Sequence, residues 1–180
     1  MPVTCRLTEV LDDAWLKVEP VRIGPVPSTL PAPDIHVLVE VDGVPRRRFD
    51  LYVPPESLNV CTVAQVWADW IVIGYCNRVL LVPAAGGETV ETSLHDGESS
   101  GFDYFSGLWP TSDFMLVATG EGLLRMDPDG SMRWRNLRLG LDGVVIDAVE
   151  GEVIRGRGDW DPPGGWRDFA INVSSGKAVE

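Results

Sequence analysis

Two stretches of this chain lie over one another, without a gap, at an offset of 44 residues. ADWIVIGYCNRVLLVPAAGGETVE sets against SDFMLVATGEGLLRMDPDGSMRWR, placing Asp69 on Asp113, Ile73 on Val117, Val79 on Leu123, Val82 on Met126, Gly86 on Gly130 and Val90 on Trp134. Each stretch reads as an acidic residue, an apolar run, a short turn, a second run, a Gly-containing turn and a third run. Runs this short, bounded by turn residues, are strands rather than helices. The expectation is an all-β chain. A looser third copy follows: Gly143 to Ile146 and Gly151 to Arg155 supply strands, and AINV (170–173) leads into SSGKAV (174–179), the register being broken by GDWDPPGGWRD.

Upstream, Thr4 to Ile23 combines the alternation of Leu7, Glu9 and Leu11 with Trp15-Leu16-Lys17-Val18, and reads as two short strands. GPVPSTLPAPD (24–34) holds four prolines and is a connector, because proline fixes φ and removes a hydrogen-bond donor. Residues 35–53 form a hairpin. Ile35, Val37, Val39 and Val41 alternate outward, Asp42-Gly43 turns, and Phe49, Leu51 and Val53 alternate back. Arg46-Arg47-Arg48 on the returning arm reads as a solvated edge strand, where charge blocks unwanted pairing. The expected organisation is one domain over residues 1–180, with N-terminal strands and hairpin (1–60) packed on the repeated units (64–180).

A period near 44 with three or four short strands per unit is the mark of propeller blades. At the turns, MDPDGSMRW (126–134) and INVSSGKAV (171–179) resemble the strand–turn–strand of quinoprotein-type β-propeller repeats, a resemblance that covers about residues 64–180. It implies blade-like antiparallel strand repeats. A closed ring needs about four to eight blades, and the chain has room for three plus its N-terminal strands. The expected fold is therefore an open or partial β-propeller, or a twisted β-sandwich, capped by the N-terminal hairpin. The cofactor site of that family needs a full ring, so no cofactor residues carry over.

Acidity narrows the partners. With 27 acidic and 15 basic residues the formal charge is −12, which repels phosphate backbones and anionic membrane surfaces and speeds encounter with a basic partner. Neither nucleic acid nor a membrane is expected as a partner. The same charge also serves solubility alone. Three cysteines (Cys5, Cys61, Cys76) without a CxxC pair argue for a reducing compartment and buried thiols. MPVTCRLTEV lacks a basic segment followed by an apolar core, and the expected location is the cytoplasm.

No catalytic or metal motif stands out. His36 and His95 lie at no ligand spacing from a cysteine. Asp127-Pro128-Asp129-Gly130 fails as a calcium loop because the twelfth residue from Asp127 is Arg138. Two segments are the binding candidates. In the first, Asp159, Trp160, Asp161, Trp166 and Asp168 surround a PPGG turn. This is either a hairpin whose tryptophans fold back on the sheet or a rigid loop that presents aromatic anchors among carboxylates. The second, LHDGESSGFDYF (94–105), contributes Asp96, Glu98, Asp103 and Tyr104, and is either an acidic connector or a functional loop.

Three functions compete. The first is a non-enzymatic module whose acidic surface captures a basic protein; its sharpest form is an immunity or antitoxin-type inhibitor of a basic toxin. The second is a carbohydrate-active enzyme using paired carboxylates (Asp159 with Asp161, or Asp96 with Glu98) beside stacking tryptophans. The third is a scaffold that self-assembles by strand-edge pairing into a homo-oligomer.

Overall fold

The structure is a computed structural model and describes residues 1–26, 32–55, 57, 61–95, 104–160 and 164–179. Its strands form four small sheets that follow one another along the chain. The first contains β1 (Val3–Thr8), β2 (Pro20–Ile23), β3 (Ile35–Val41) and β4 (Val44–Leu51) in the order β1-β3-β4-β2. A one-turn helix, α1 (Asp13–Leu16), lies between β1 and β2. The second and third are four-stranded meanders: β5 (Thr62–Trp67), β6 (Trp70–Tyr75), β7 (Arg78–Pro83) and β8 (Val90–Ser93), then β9 (Phe105–Pro110), β10 (Met115–Thr119), β11 (Leu123–Met126) and β12 (Met132–Asn136). The fourth holds β13 (Val144–Glu150), β14 (Val153–Asp159) and β15 (Trp166–Asn172), with Ala178 bridged to Ile171 at its edge. Pairing is antiparallel throughout except between β2 and β4, which run parallel.

The β3–β4 hairpin forms as the alternation predicts. Asp42 (φ 53°) and Gly43 (φ 74°) both take left-handed backbone, the geometry that matches a tight turn to strand twist. Two expectations for this region are overturned. Trp15-Leu16 is helical rather than strand, because Asp12 caps a turn with its Oδ1, accepting from the backbone N–H of Ala14 (3.0 Å) and Trp15 (3.2 Å). Nor is β4 an edge strand: it lies between β3 and β2, Arg48 is buried, and Arg47 is half-buried with its guanidinium 5.1 Å from the Phe49 ring. Of the triplet, Arg46 alone is exposed.

The sheets stack face to face through three successive cores. Val37, Val39, Phe49 and Leu51 of the first sheet meet Ile71, Ile73, Leu80 and Val82 of the second. The second sheet's opposite face, with Val72 and Leu81, meets Met115, Val117 and Met126 of the third. Leu116 and Leu123 then meet Val144, Ile154 and Ile171 of the fourth. The two middle sheets are covered on both faces, so their strands read as continuous apolar runs such as Ile71-Val72-Ile73, without alternation. Where sheets two and three approach closely, Gly74 makes room for the Phe105 ring; a Cβ there would sit 2.2 Å from it.

Polar clasps tie neighbouring sheets together at their margins. Arg47 Nη1 donates to the Pro83 carbonyl (2.8 Å), Trp67 Nε1 to Thr111 (2.7 Å) and Trp70 Nε1 to Pro128 (2.9 Å). Trp134 Nε1 (2.7 Å) and Arg125 Nη1 (3.0 Å) both reach the Val173 carbonyl.

Candidate functional site

The tryptophan segment closes the hairpin between β14 and β15. Asp159 is the register partner of Trp166, and the Trp160 N–H donates to the Gly165 carbonyl (3.1 Å). Gly164 must be glycine, because a Cβ would sit 2.0 Å from the Trp160 carbonyl oxygen. Trp160 is half-buried, whereas Trp166 is 52% exposed and so does not fold into a core. Each indole carries a guanidinium: Arg167 lies 5.4 Å from the Trp160 ring and Arg157 5.9 Å from that of Trp166. Arg157 is fixed in turn by a two-point ion pair with Asp147 (2.9 and 3.0 Å), which raises its already high pKa. Asp168, the register partner of Arg157, is exposed. Asp161 lies outside the described residues, as do Asp96, Glu98 and Asp103 of the second segment.

Tyr104 brings the two candidate segments together. Its hydroxyl donates to the Asp142 carbonyl (2.7 Å) and lies 3.2 Å from Asp142 Oδ1. The backbone N–H of Leu141 (2.6 Å) and that of Asp142 (3.4 Å) point at the Asp159 carbonyl, and the Asp159 N–H donates to Gly143 (2.9 Å). Burial pushes the Tyr104 phenol up to about 12, helped by the negative charge of Asp142, the hydrogen bond to it, and Asp159. Tyr104, Asp142, Asp159, Trp160 and Trp166 therefore occupy one end of the third and fourth sheets. Among the described residues, neither Asp142 nor Asp159 is ion-paired with a cation. Asp142 was not a sequence candidate; its only signal is an Asp-Gly dipeptide ahead of an apolar run, which reads as a turn.

Beside this end a cleft of about 380 Å³ opens between β9 and β13, lined by Gly107, Trp109, Ala118, Gly143, Val144 and Ile146 among others.

A second polar cluster is buried under α1. His36 Nδ1 and Asp50 Oδ1 are 2.7 Å apart, Arg48 reaches Asp50 from Nη2 (3.3 Å), and Arg48 Nη1 donates to the Trp15 carbonyl (2.9 Å). Trp15 is fully buried. Thr8 is the register partner of His36, but its hydroxyl is engaged with the Val10 backbone (2.9 Å). This arrangement straps α1 to the first sheet. Among the described residues no group of three or more His, Cys, Asp or Glu gathers to hold a metal ion, and no helix is long and apolar enough to cross a membrane. Burial raises the pKa of all three thiols, that of Cys5 to about 11, which keeps them protonated and weakly nucleophilic near neutrality.

No known family model matches this chain, and no curated protein matches it in sequence.

Proposed function

We propose that this protein is a non-enzymatic binding module that captures a basic protein on the end formed by Tyr104, Asp142, Asp159, Trp160 and Trp166, and that its four sheets are an open fan of propeller-like blades. One observation carries the binding reading: segments far apart in sequence converge there, so that Asp142 and Asp159, ion-paired with no cation among the described residues, share one end of the third and fourth sheets with an exposed indole. Tryptophan is enriched among residues that dominate binding energy, and its rigidity lowers the ordering cost of association. The charge of −12 supplies steering towards a basic surface. The sharpest form of the reading is an immunity-type inhibitor of a basic toxin enzyme, in a reducing compartment such as the cytoplasm. The fan reading is supported by the sequential order of the sheets and by the 44-residue offset, which sets β6 on β10 and β7 on β11.

The test is complex formation with purified basic proteins, basic toxin enzymes among them, at low ionic strength by isothermal titration. A tight, salt-weakened complex that Asp142→Asn/Asp159→Asn and Trp166→Ala each weaken is the expected result. No complex with any of them at low salt, or one indifferent to all three substitutions, contradicts it.

A further inference from the structure

We propose that the cleft between β9 and β13 is a groove for an extended peptide segment of the partner, which seats an apolar side chain over Gly107 and Ala118 and a basic side chain against Asp142 and Asp159. The inference rests on the binding reading above and names how the partner engages. β9 and β13 are each terminal strands of their sheets, so among the described residues each has one edge with no strand paired along it. β1 lies against β5 and β5 against β9, whereas β13 packs chiefly on β10, and the run of neighbouring inner strands breaks there.

The hollow has a cause in the sequence. Gly107 and Ala118 are register partners, and both are small. At the preceding interface the space over Gly74 is filled by Phe105, but a Cβ added at Gly107 would meet nothing within 4 Å. Trp109, Val144 and Ile146 make the walls apolar. One end is closed by the Gly143 N–H donating to Gly120 (2.7 Å) and the Gly120 N–H to Tyr104 (3.0 Å), and Asp142 stands at that end. A volume of about 380 Å³ lies at the small end of ligand cavities, which run roughly 300–1,000 Å³. It suits one or two side chains rather than a long molecule. Flanking strand edges offer backbone donors and acceptors at strand spacing, the requirement for strand addition. The carboxylates select the charge of the guest.

The experiment is fluorescence anisotropy with a labelled hexapeptide alternating lysine and valine, its glutamate–valine counterpart, and a lysine–valine version N-methylated at alternate residues. The lysine–valine peptide is expected to bind the wild type. Affinity should fall at least about tenfold on N-methylation, which removes backbone donors while keeping charge, and by a similar factor in Gly107→Val, which fills the hollow. The glutamate peptide is expected not to bind. Equal affinity for the N-methylated peptide, equal affinity of a folded Gly107→Val, or no binding of the lysine–valine peptide overturns the groove. If a basic protein partner is held by Gly107→Val but lost in Trp166→Ala, the groove fails and the binding end stands. If no basic partner is held by the wild type, the underlying reading fails.

Discussion

Asp50 holds two buried cationic or imidazole partners, His36 and Arg48, and through Arg48 the backbone of Trp15. Removing the carboxylate leaves a guanidinium buried without its counter-charge, a change that typically costs about 3–5 kcal/mol. Asp50→Ala is therefore expected to shift the urea midpoint strongly, with loss of Trp15 burial visible in tryptophan fluorescence; an unchanged midpoint would contradict the strap. The same scale sets the alkaline limit. Burial lifts the Cys5 thiol from 9.0 to about 11 and the Tyr75 phenol from 10.0 to about 12. Both groups bind their protons more tightly folded than unfolded, so their contribution is complete below about pH 9 and is lost as pH rises through 11 and 12. The melting temperature should be level up to about pH 9 and fall beyond it, and Cys5→Ala should reduce the earlier part of the fall, to which the buried thiols of Cys61 and Cys76 also contribute. The sequence offered Arg46-Arg47-Arg48 as a charged triplet, and charge alone suggested solvent. What buried Arg48 was Asp50, two residues along the same strand and itself held by His36, together with the Trp15 carbonyl of a helix between β1 and β2; the two long-range contacts leave no local pattern.

Elements whose partners are adjacent in the chain were legible in large part: the Asp42-Gly43 hairpin, β6 to β8, and β10 to β12, whereas β5 and β9, the first strands of the two meanders, precede the repeated stretches and were not read as strands. Those that depend on distant partners were not. β2 joins the first sheet in parallel alongside β4, across a proline-rich connector that masks the pairing. Trp15-Leu16 carried the apolar pattern of a strand and became a helical turn because Asp12 caps it. Between sheets, contacts depend on which small residues face which rings. Gly74→Val is expected to destabilise by about 1–3 kcal/mol through collision with the Phe105 ring, and Phe105→Ala in the same chain should restore part of it. Trp134→Phe removes one donor from the Val173 carbonyl, which Arg125 still satisfies, and should cost only about 0.5–1.5 kcal/mol in chemical denaturation.

At the scale of the molecule, the sequence showed an all-β chain with two loops worth attention, and the structure places Tyr104 of one and Asp159, Trp160 and Trp166 of the other at one end of the third and fourth sheets. Asp142 and the cleft were invisible in the sequence because both arise from the packing of the third sheet on the fourth rather than from any run of residues. An acidic protein whose binding end combines carboxylate and indole should lose its partner both when salt screens the charge and when the indoles are removed. The most direct measurement is affinity capture on immobilised wild type and on the Trp160→Ala/Trp166→Ala double variant from the source cell's lysate, at low and high salt, with circular dichroism confirming that the variant is folded. Recovery of one basic protein by the wild type, weakened by salt and lost in the variant, is the predicted result. Recovery of nothing by either bait, or of the same protein by both, would contradict a binding end built on these tryptophans.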